Sequence, residues 1–170
     1  MIKTQKGMTL IELMITTVIL CIIILGLVVF FTGGVRSWIT GQSQLEAQRN
    51  ARQAMESMVR EIRHGESIVG NSDDDTIIVS VPALGSELAY NITYDLSGTT
   101  ISRGGNLLIS NVQFLMLEYY KSDGTQIAAP VPAVDNEVSK IHIKLQVDVD
   151  KDNNPDITLN SDIDLRNFDL

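Results

Sequence analysis

The chain has a single cysteine, Cys21, and it lies inside an apolar run, so no disulfide can form within the chain and any exported part must fold on its own core. As a small apolar filler of a helix, that thiol needs no further role. Histidine is almost as scarce, with only His64 and His142. No Gly-x-Ser-x-Gly, His-Glu-x-x-His or phosphate-loop pattern occurs, so the residues offer no nucleophile, base or metal ligand set from which to build an enzyme. Cations are the minority charge, 13 Lys and Arg against 21 Asp and Glu, for a formal net charge of −8. Phosphate binding relies on clustered Lys and Arg, and with no basic patch in the sequence nucleic acid is not an expected partner.

What the chain does have is apolar length. Between Met8 and Phe31 the only ionisable side chain besides Cys21 is Glu12. At about 1.5 Å of rise per residue this run makes a helix of roughly 36 Å, enough to cross a hydrocarbon core of about 30 Å. One membrane-spanning helix in contact with lipid is therefore expected. Lys3 and Lys6 precede it without an acid, while Asp73, Asp74, Asp75 and a series of C-terminal aspartates follow it. The positive-inside tendency then keeps the N-terminus cytoplasmic, with a single pass through the inner membrane and the remainder in the periplasm or outside the cell.

The start of the run departs from an ordinary secretory leader, in which a small-residue cleavage site follows the apolar segment and that segment is discarded. Here the small residue, Gly7, comes first, directly after Lys6. Cleavage between Gly7 and Met8 would leave the helix on the mature protein, with Glu12 near its new end. An unpaired acid inside a spanning helix costs several kcal/mol, so it ordinarily has a partner and a task. The amine created at Met8, on the same chain or on a neighbour, is the expected partner, which makes Glu12 a register mark for assembly.

Lys6-Gly7 followed by Met8-Thr9-Leu10-Ile11-Glu12-Leu13 resembles the class III signal of type IV pilins and type II secretion pseudopilins. The resemblance implies a membrane prepilin peptidase that cuts after Gly7 and methylates the new amino group of Met8. Met8 is a departure, because the family most often has phenylalanine there, though it accepts other apolar residues.

After Phe31, Thr32-Gly33-Gly34 lowers helix propensity and permits a bend. Helical spacing then resumes, with Leu45, Ala51, Met55, Met58, Val59 and Ile62 on one side and Arg49, Arg52, Glu56, Arg60 and Glu61 on the wetter side. Glu56 and Arg60 have the favourable order for an ion pair four residues apart. His64-Gly65 predicts the stop, with glycine in the left-handed cap conformation.

Strand patterns fill the rest. They cover 76–81, 88–96, 99–103, 107–110 and 112–120, with turns at Ser97-Gly98, Gly104-Gly105-Asn106 and Ser122-Asp123-Gly124. The run 112–120 is apolar nearly throughout, as for a strand covered on both faces. From Ser139 to Asp150 the alternation is clean, with Ile141, Ile143, Leu145, Val147 and Val149 on one face. Ile157, Leu159, Ile163 and Leu165 repeat it, which predicts an antiparallel hairpin lying on the second half of the helix. Ala128 to Asp135 is rich in Pro and Ala and reads as an exposed connection. The expectation is an α+β protein: a leader over 1–7, a transmembrane or filament helix over 8–31, its amphipathic continuation over 32–65, and an antiparallel β-sheet head of six or seven strands over 66–170.

The head pattern, with its strand ending in Arg103, its aromatic strand VQFLMLEYY and its ending Asp164-Leu165-Arg166-Asn167, resembles minor pilins of the W type and pseudopilins of the J type. Major pilins often close a C-terminal loop with a disulfide, which a lone cysteine excludes, so a minor subunit fits better. The implied partners are prepilin peptidase, other minor and major pilins or pseudopilins, and the inner-membrane assembly platform. The implied task is structural, priming and joining a type IV pilus or a secretion pseudopilus. A membrane-anchored periplasmic binding module that stays out of filaments is the alternative, but a plain anchor needs neither Gly7 before the run nor Glu12 within it.

The most chemical stretch of the head is Asp148 to Asp156. Oxygens from Asp148, Asp150, Asp152, Asn154 and Asp156 suit calcium, which takes about six to eight such ligands. Read as a helix-loop-helix calcium loop it fails, lacking the central glycine and having Leu159 where a bidentate glutamate should fall. A solvated acidic turn, with Asn153-Asn154 in left-handed conformations and Pro155 ending it, is the other reading.

Overall fold

The computed structural model describes residues 7–83, 88–132 and 137–165. Lys3, Lys6, the end of the Pro/Ala-rich connection and Arg166-Asn167 lie outside the described residues. The chain divides into two compact units, Met1–Ser43 and Gln44–Leu170, and a single helix, α1 (Leu10–Arg63), passes through the division.

In the first unit every residue from Gly7 to Thr40 is exposed. A helix that is apolar all round and uncovered by its own chain is suited to lipid or to other helices. Within its apolar run, Thr16, Thr17 and Thr32 donate their hydroxyls to carbonyls three or four residues back, so these three donors are not left bare towards an apolar surrounding. Thr32-Gly33-Gly34, where the sequence permits a bend, does not interrupt the helix.

In the second unit Ala51, Ala54, Met55, Met58 and Ile62 form the buried face of α1. Two residues depart from the expected stripe. Leu45 is 69% exposed, because burial begins only at Ala51. Glu61, expected on the wet side, turns inward to meet Arg103 and Tyr94. Glu56 and Arg60 do not close an ion pair; the helix's salt bridge is the one from Glu61 to Arg103. The helix ends with tightened bonds from His64 N to the Glu61 carbonyl and from Gly65 N to the Ile62 carbonyl, at 3.1 and 2.9 Å. Gly65 is not left-handed as expected. A Cβ there would lie 2.4 Å from Val79 Cγ1 and 3.0 Å from the Ile62 carbonyl oxygen, so glycine is required by the close approach of the next strands.

The strands are β1 (Ser67–Ile68), β2 (Thr76–Val81), β3 (Tyr90–Ser97), β4 (Thr100–Arg103), β5 (Asn106–Ser110), β6 (Val112–Tyr120), β7 (Gln126–Ile127), β8 (Lys140–Val147) and β9 (Ile157–Asp164). They form two antiparallel sheets, one in the order β1-β2-β3-β4-β5 and one in the order β7-β6-β8-β9. The class is α+β, as expected, with nine strands among the described residues where the sequence shows six or seven. The two unforeseen strands have two residues each, too few for any alternation to register. The β4–β5 hairpin turns on Gly104 and Gly105, both at positive φ, the conformation that a two-residue turn with the strands' own twist demands.

Inward side chains of both sheets and the buried face of α1 make one core, with Tyr94, Met58, Ile62, Leu117 and Ile143 among its fully buried members. Strand β6 is buried on one face only, against the expectation of cover on both. Its buried residues alternate after a register shift between Val112 and Phe114, and Phe114 on the other face is 41% exposed. The Pro/Ala-rich connection also differs from its expectation. Val131 is buried, and its amide donates to the Ser72 carbonyl at 2.8 Å.

The acidic run Asp73-Asp74-Asp75 keeps its side chains exposed while its backbone joins the sheets. The Asp74 carbonyl accepts the Leu117 amide of one sheet at 2.9 Å, the Asp75 carbonyl accepts the Leu96 amide of the other at 3.1 Å, and the Tyr119 hydroxyl donates to the Asp73 carbonyl at 2.8 Å. Burial pushes the Tyr119 hydroxyl well above its ordinary range, and the three carboxylates push it further.

Candidate functional site

The N-terminal stretch is built around the first turn of α1. Gly7, Met8 and Thr9 precede the helix, and the Thr9 carbonyl accepts the first helical bond, from the Leu13 amide at 3.2 Å. Thr9 is thus the N-cap. The Glu12 carboxylate accepts the Thr9 amide at 2.8 Å and the Thr9 hydroxyl at 2.9 Å, while the Glu12 amide donates back to the Thr9 hydroxyl at 3.3 Å. This is a capping box, in which two side chains satisfy the orphan donors of a helix start and the acid lies at the positive end of the helix dipole. The partner found for Glu12 is therefore Thr9, the residue next to Met8, whose amine is the expected partner. The pattern Thr-x-x-Glu was available in the sequence and announces this contact.

Gly7 presents a different kind of requirement. Its φ is not positive, and among the described residues no atom lies within 4 Å of where a Cβ would stand. Nothing in the chain's own fold demands glycine there. The peptide bond from Gly7 to Met8 lies in non-helical backbone, with Met8 64% exposed, so it is open to another protein.

In the loop between β8 and β9 the structure brings together three of the four sequence-nominated carboxylates. Carboxylate oxygens of Asp148, Asp150 and Asp156 lie within 4.8 Å of one another. The Asp152 carboxylate is not part of that group. Asp152 instead accepts the Asn154 amide at 2.8 Å. Asp148 is buried and organises the loop, accepting the Lys151 amide at 2.7 Å and the Asn153 amide at 2.9 Å. The left-handed residues are Lys151 and Asn153, not the Asn153-Asn154 pair. The Asp152 amide acts to lower the Asp150 carboxyl, but desolvation and the charges of Asp152 and Asp156 outweigh it and raise the carboxyl above its ordinary value. Three acids at this spacing repel one another, a cost that a hard cation would relieve.

Elsewhere in the head, described residues line two further concavities. One, of 400 Å³, lies on the outer face of the second sheet, but its charges are already matched: His142 Nδ1 lies 2.7 Å from Asp162, Lys140 lies 3.8 Å from the same carboxylate, and the Tyr120 hydroxyl donates to Glu118 at 3.0 Å. The hydrogen bond from His142 holds the Asp162 carboxyl below its usual range, with Lys140 adding to it. The other, of 530 Å³, runs between α1 and β9 and is lined by three arginines and one glutamate. The sequence places Arg52 and Arg60 on one side of the helix, but no local pattern shows that β9 lies beside them. Neither concavity contains a nucleophile with an adjacent base.

No curated protein matches the chain in sequence. Residues 2–28, which hold Gly7, Met8, Glu12 and most of the apolar run, match the prokaryotic N-terminal methylation motif. That motif implies processing by prepilin peptidase and assembly with other pilins, and it points to a structural protein of the type IV pilin-like or pseudopilin kind.

Proposed function

We propose that this protein is a minor pilin or minor pseudopilin, a structural and assembly-priming subunit of a type IV pilus or secretion pseudopilus. Prepilin peptidase cuts it between Gly7 and Met8 and methylates Met8, and the exposed apolar half of α1 carries it from the inner membrane into the filament. The observation that carries this reading is a glycine that the fold does not need, next to a helix that the chain does not cover. Both features have their reason in other proteins. Glu12 fits the same account. In the uncleaved chain it caps the helix through Thr9, and after cleavage the amine at Met8 lies one residue before the N-cap, within reach of the same carboxylate.

The experiment separates capping from pairing. Glutamine at position 12 preserves a capping box and removes the charge, whereas alanine removes both. Glu12→Ala and Glu12→Gln are both expected to insert into the membrane normally and to fall by about tenfold or more in sheared filaments, the loss expected when one charged partner of a desolvated pair is removed. Normal recovery of the glutamine variant would reduce Glu12 to a helix cap, normal recovery of both would remove Glu12 from assembly, and absence of the parent itself from sheared filaments would favour the plain membrane anchor.

The β8–β9 loop supports a second, smaller proposal, a weak calcium site at Asp148, Asp150 and Asp156, favoured by the convergence of their oxygens. Millimolar calcium is expected to raise the melting temperature of the full chain in detergent by a few degrees relative to chelator, with Asp150→Asn abolishing the shift. Equal melting in calcium and chelator would leave the loop as a turn held by Asp148 alone.

A further inference from the structure

The groove between α1 and β9 has an apolar floor and a basic rim. Met55, Val59 and Leu159 form the floor. Arg52, Arg60 and Arg63 stand on the rim, exposed and in no ion pair among the described residues; Glu56 is the acid in the lining, and Glu61, held by Arg103, is near enough to feel the charge of Arg60. In a chain of net charge −8 this is a local excess of positive charge. Beside it lies a strand edge, for among the described residues β9 pairs with β8 alone. The Leu165 amide donates to the Ser139 carbonyl at 2.9 Å, which fixes the phase of the ladder. In an antiparallel pair alternate residues turn both backbone groups to the partner, so the odd-numbered residues of β9 face β8. Thr158, Asn160 and Asp162 therefore turn their N–H and C=O groups to the open side. Such an edge is a template for one more strand.

We infer that this edge and groove receive an extended acidic and apolar segment of a neighbouring, different subunit, added to the second sheet as a strand beside β9. Side chains on one face of the added strand cover Leu159 and Val59 and reach the arginines. Those on the other face meet Asp162, which selects neutral or basic residues there. A second copy of this chain fits less well. A two-fold pairing of β9 with β9 would set one arginine rim against the other and would bring apolar and hydroxyl side chains, Ile157, Leu159 and Ser161, where acids are wanted. In taking the segment from a neighbouring subunit, the inference rests on the filament reading.

The test uses the full chain in detergent micelles and a capped synthetic peptide, Thr-Val-Thr-Glu-Thr-Val-Thr-Glu, with residue-level amide exchange. Saturable binding is expected to slow exchange at Thr158, Asn160 and Asp162 and to leave Leu159 and Ser161, already bonded to β8, unchanged. Arg52→Glu combined with Arg60→Glu should weaken binding by about tenfold or more, and added salt should weaken it in the parent, as for a partly exposed charge match. Unchanged edge amides at millimolar peptide, or equal binding of a peptide with lysine for glutamate, would overturn the proposal. Protection that grows with protein concentration and needs no peptide would also overturn it, in favour of a second copy. None of these readings needs cleavage at Gly7 or assembly, so the groove and the filament reading can fail separately.

Discussion

Gly7→Leu is expected to leave the protein as a full-length precursor, with cleavage slowed by at least about a hundredfold, or roughly 2.7 kcal/mol of lost transition-state stabilisation. Among the described residues a Cβ at Gly7 meets no atom within 4 Å, and the backbone there is not left-handed. The leucine variant should therefore insert, fold and melt as the parent does, while intact mass and N-terminal sequencing show an uncut chain and sheared filaments lack it. A variant that is uncut and also less stable would point to a folding role for Gly7. A variant cut normally to Met8 would remove the main support for a prepilin peptidase site.

The second large effect is expected in the head. Glu61→Gln should destabilise the full chain by about 2 to 3 kcal/mol, because it strips the charge from a group that Arg103 and Tyr94 both address. Arg103 holds the carboxylate with both Nε and Nη2, at 2.7 to 3.1 Å, and the Tyr94 hydroxyl donates to it from the fully buried core. Arg103 is 41% exposed and can rehydrate, which keeps the cost below that of a fully buried pair. Burial acts to raise the Glu61 carboxyl, but the hydrogen bonds from Arg103 and Tyr94 outweigh it and hold it below its ordinary value of 4.5. A folded-state value below the unfolded one gives stability that is fully present above about pH 4.5 and is lost as pH falls through the lower folded-state value. The difference in unfolding free energy between parent and variant should accordingly shrink on acidification below that pH, read from urea melts. A difference that stays constant with pH would mean that Glu61 contributes shape and not charge. Tyr94→Phe, which removes one donor, should cost about 1 kcal/mol.

The fold was legible wherever a pattern ran long enough to repeat. Strand β2 falls where its β-branched run predicts, and β8 and β9 pair with Ile141 opposite Ile163 and Leu145 opposite Leu159, as their alternation requires. Beyond the periods, three-dimensional neighbours decide. Glu61 has the composition of a wet helix face, and only the arrival of Arg103, 42 residues later, turns it inward. Gly65 has the signature of a cap, yet its reason is the side chain of Val79. Apolar β6 suggests cover on both faces, but no local pattern reveals that a second sheet begins there and leaves Phe114 half outside. The N-terminal site was readable in sequence because its chemistry is contiguous, although the role of Thr9 was hidden in a capping pattern that the apolar run obscures. The calcium-type loop was read from composition, and composition cannot say that Asp148 is occupied by backbone amides while Asp152 points elsewhere.

The run Asp73-Asp74-Asp75 has a consequence for how this head can vary over time. Its side chains face water, so substitutions there should be tolerated freely. Its carbonyls are spaced to meet Leu96 in one sheet and Leu117 in the other, and a third accepts the Tyr119 hydroxyl. Adding or deleting a single residue would therefore shift the register of both sheets at once. Length is constrained here and spelling is not, the reverse of what an acidic surface loop ordinarily allows.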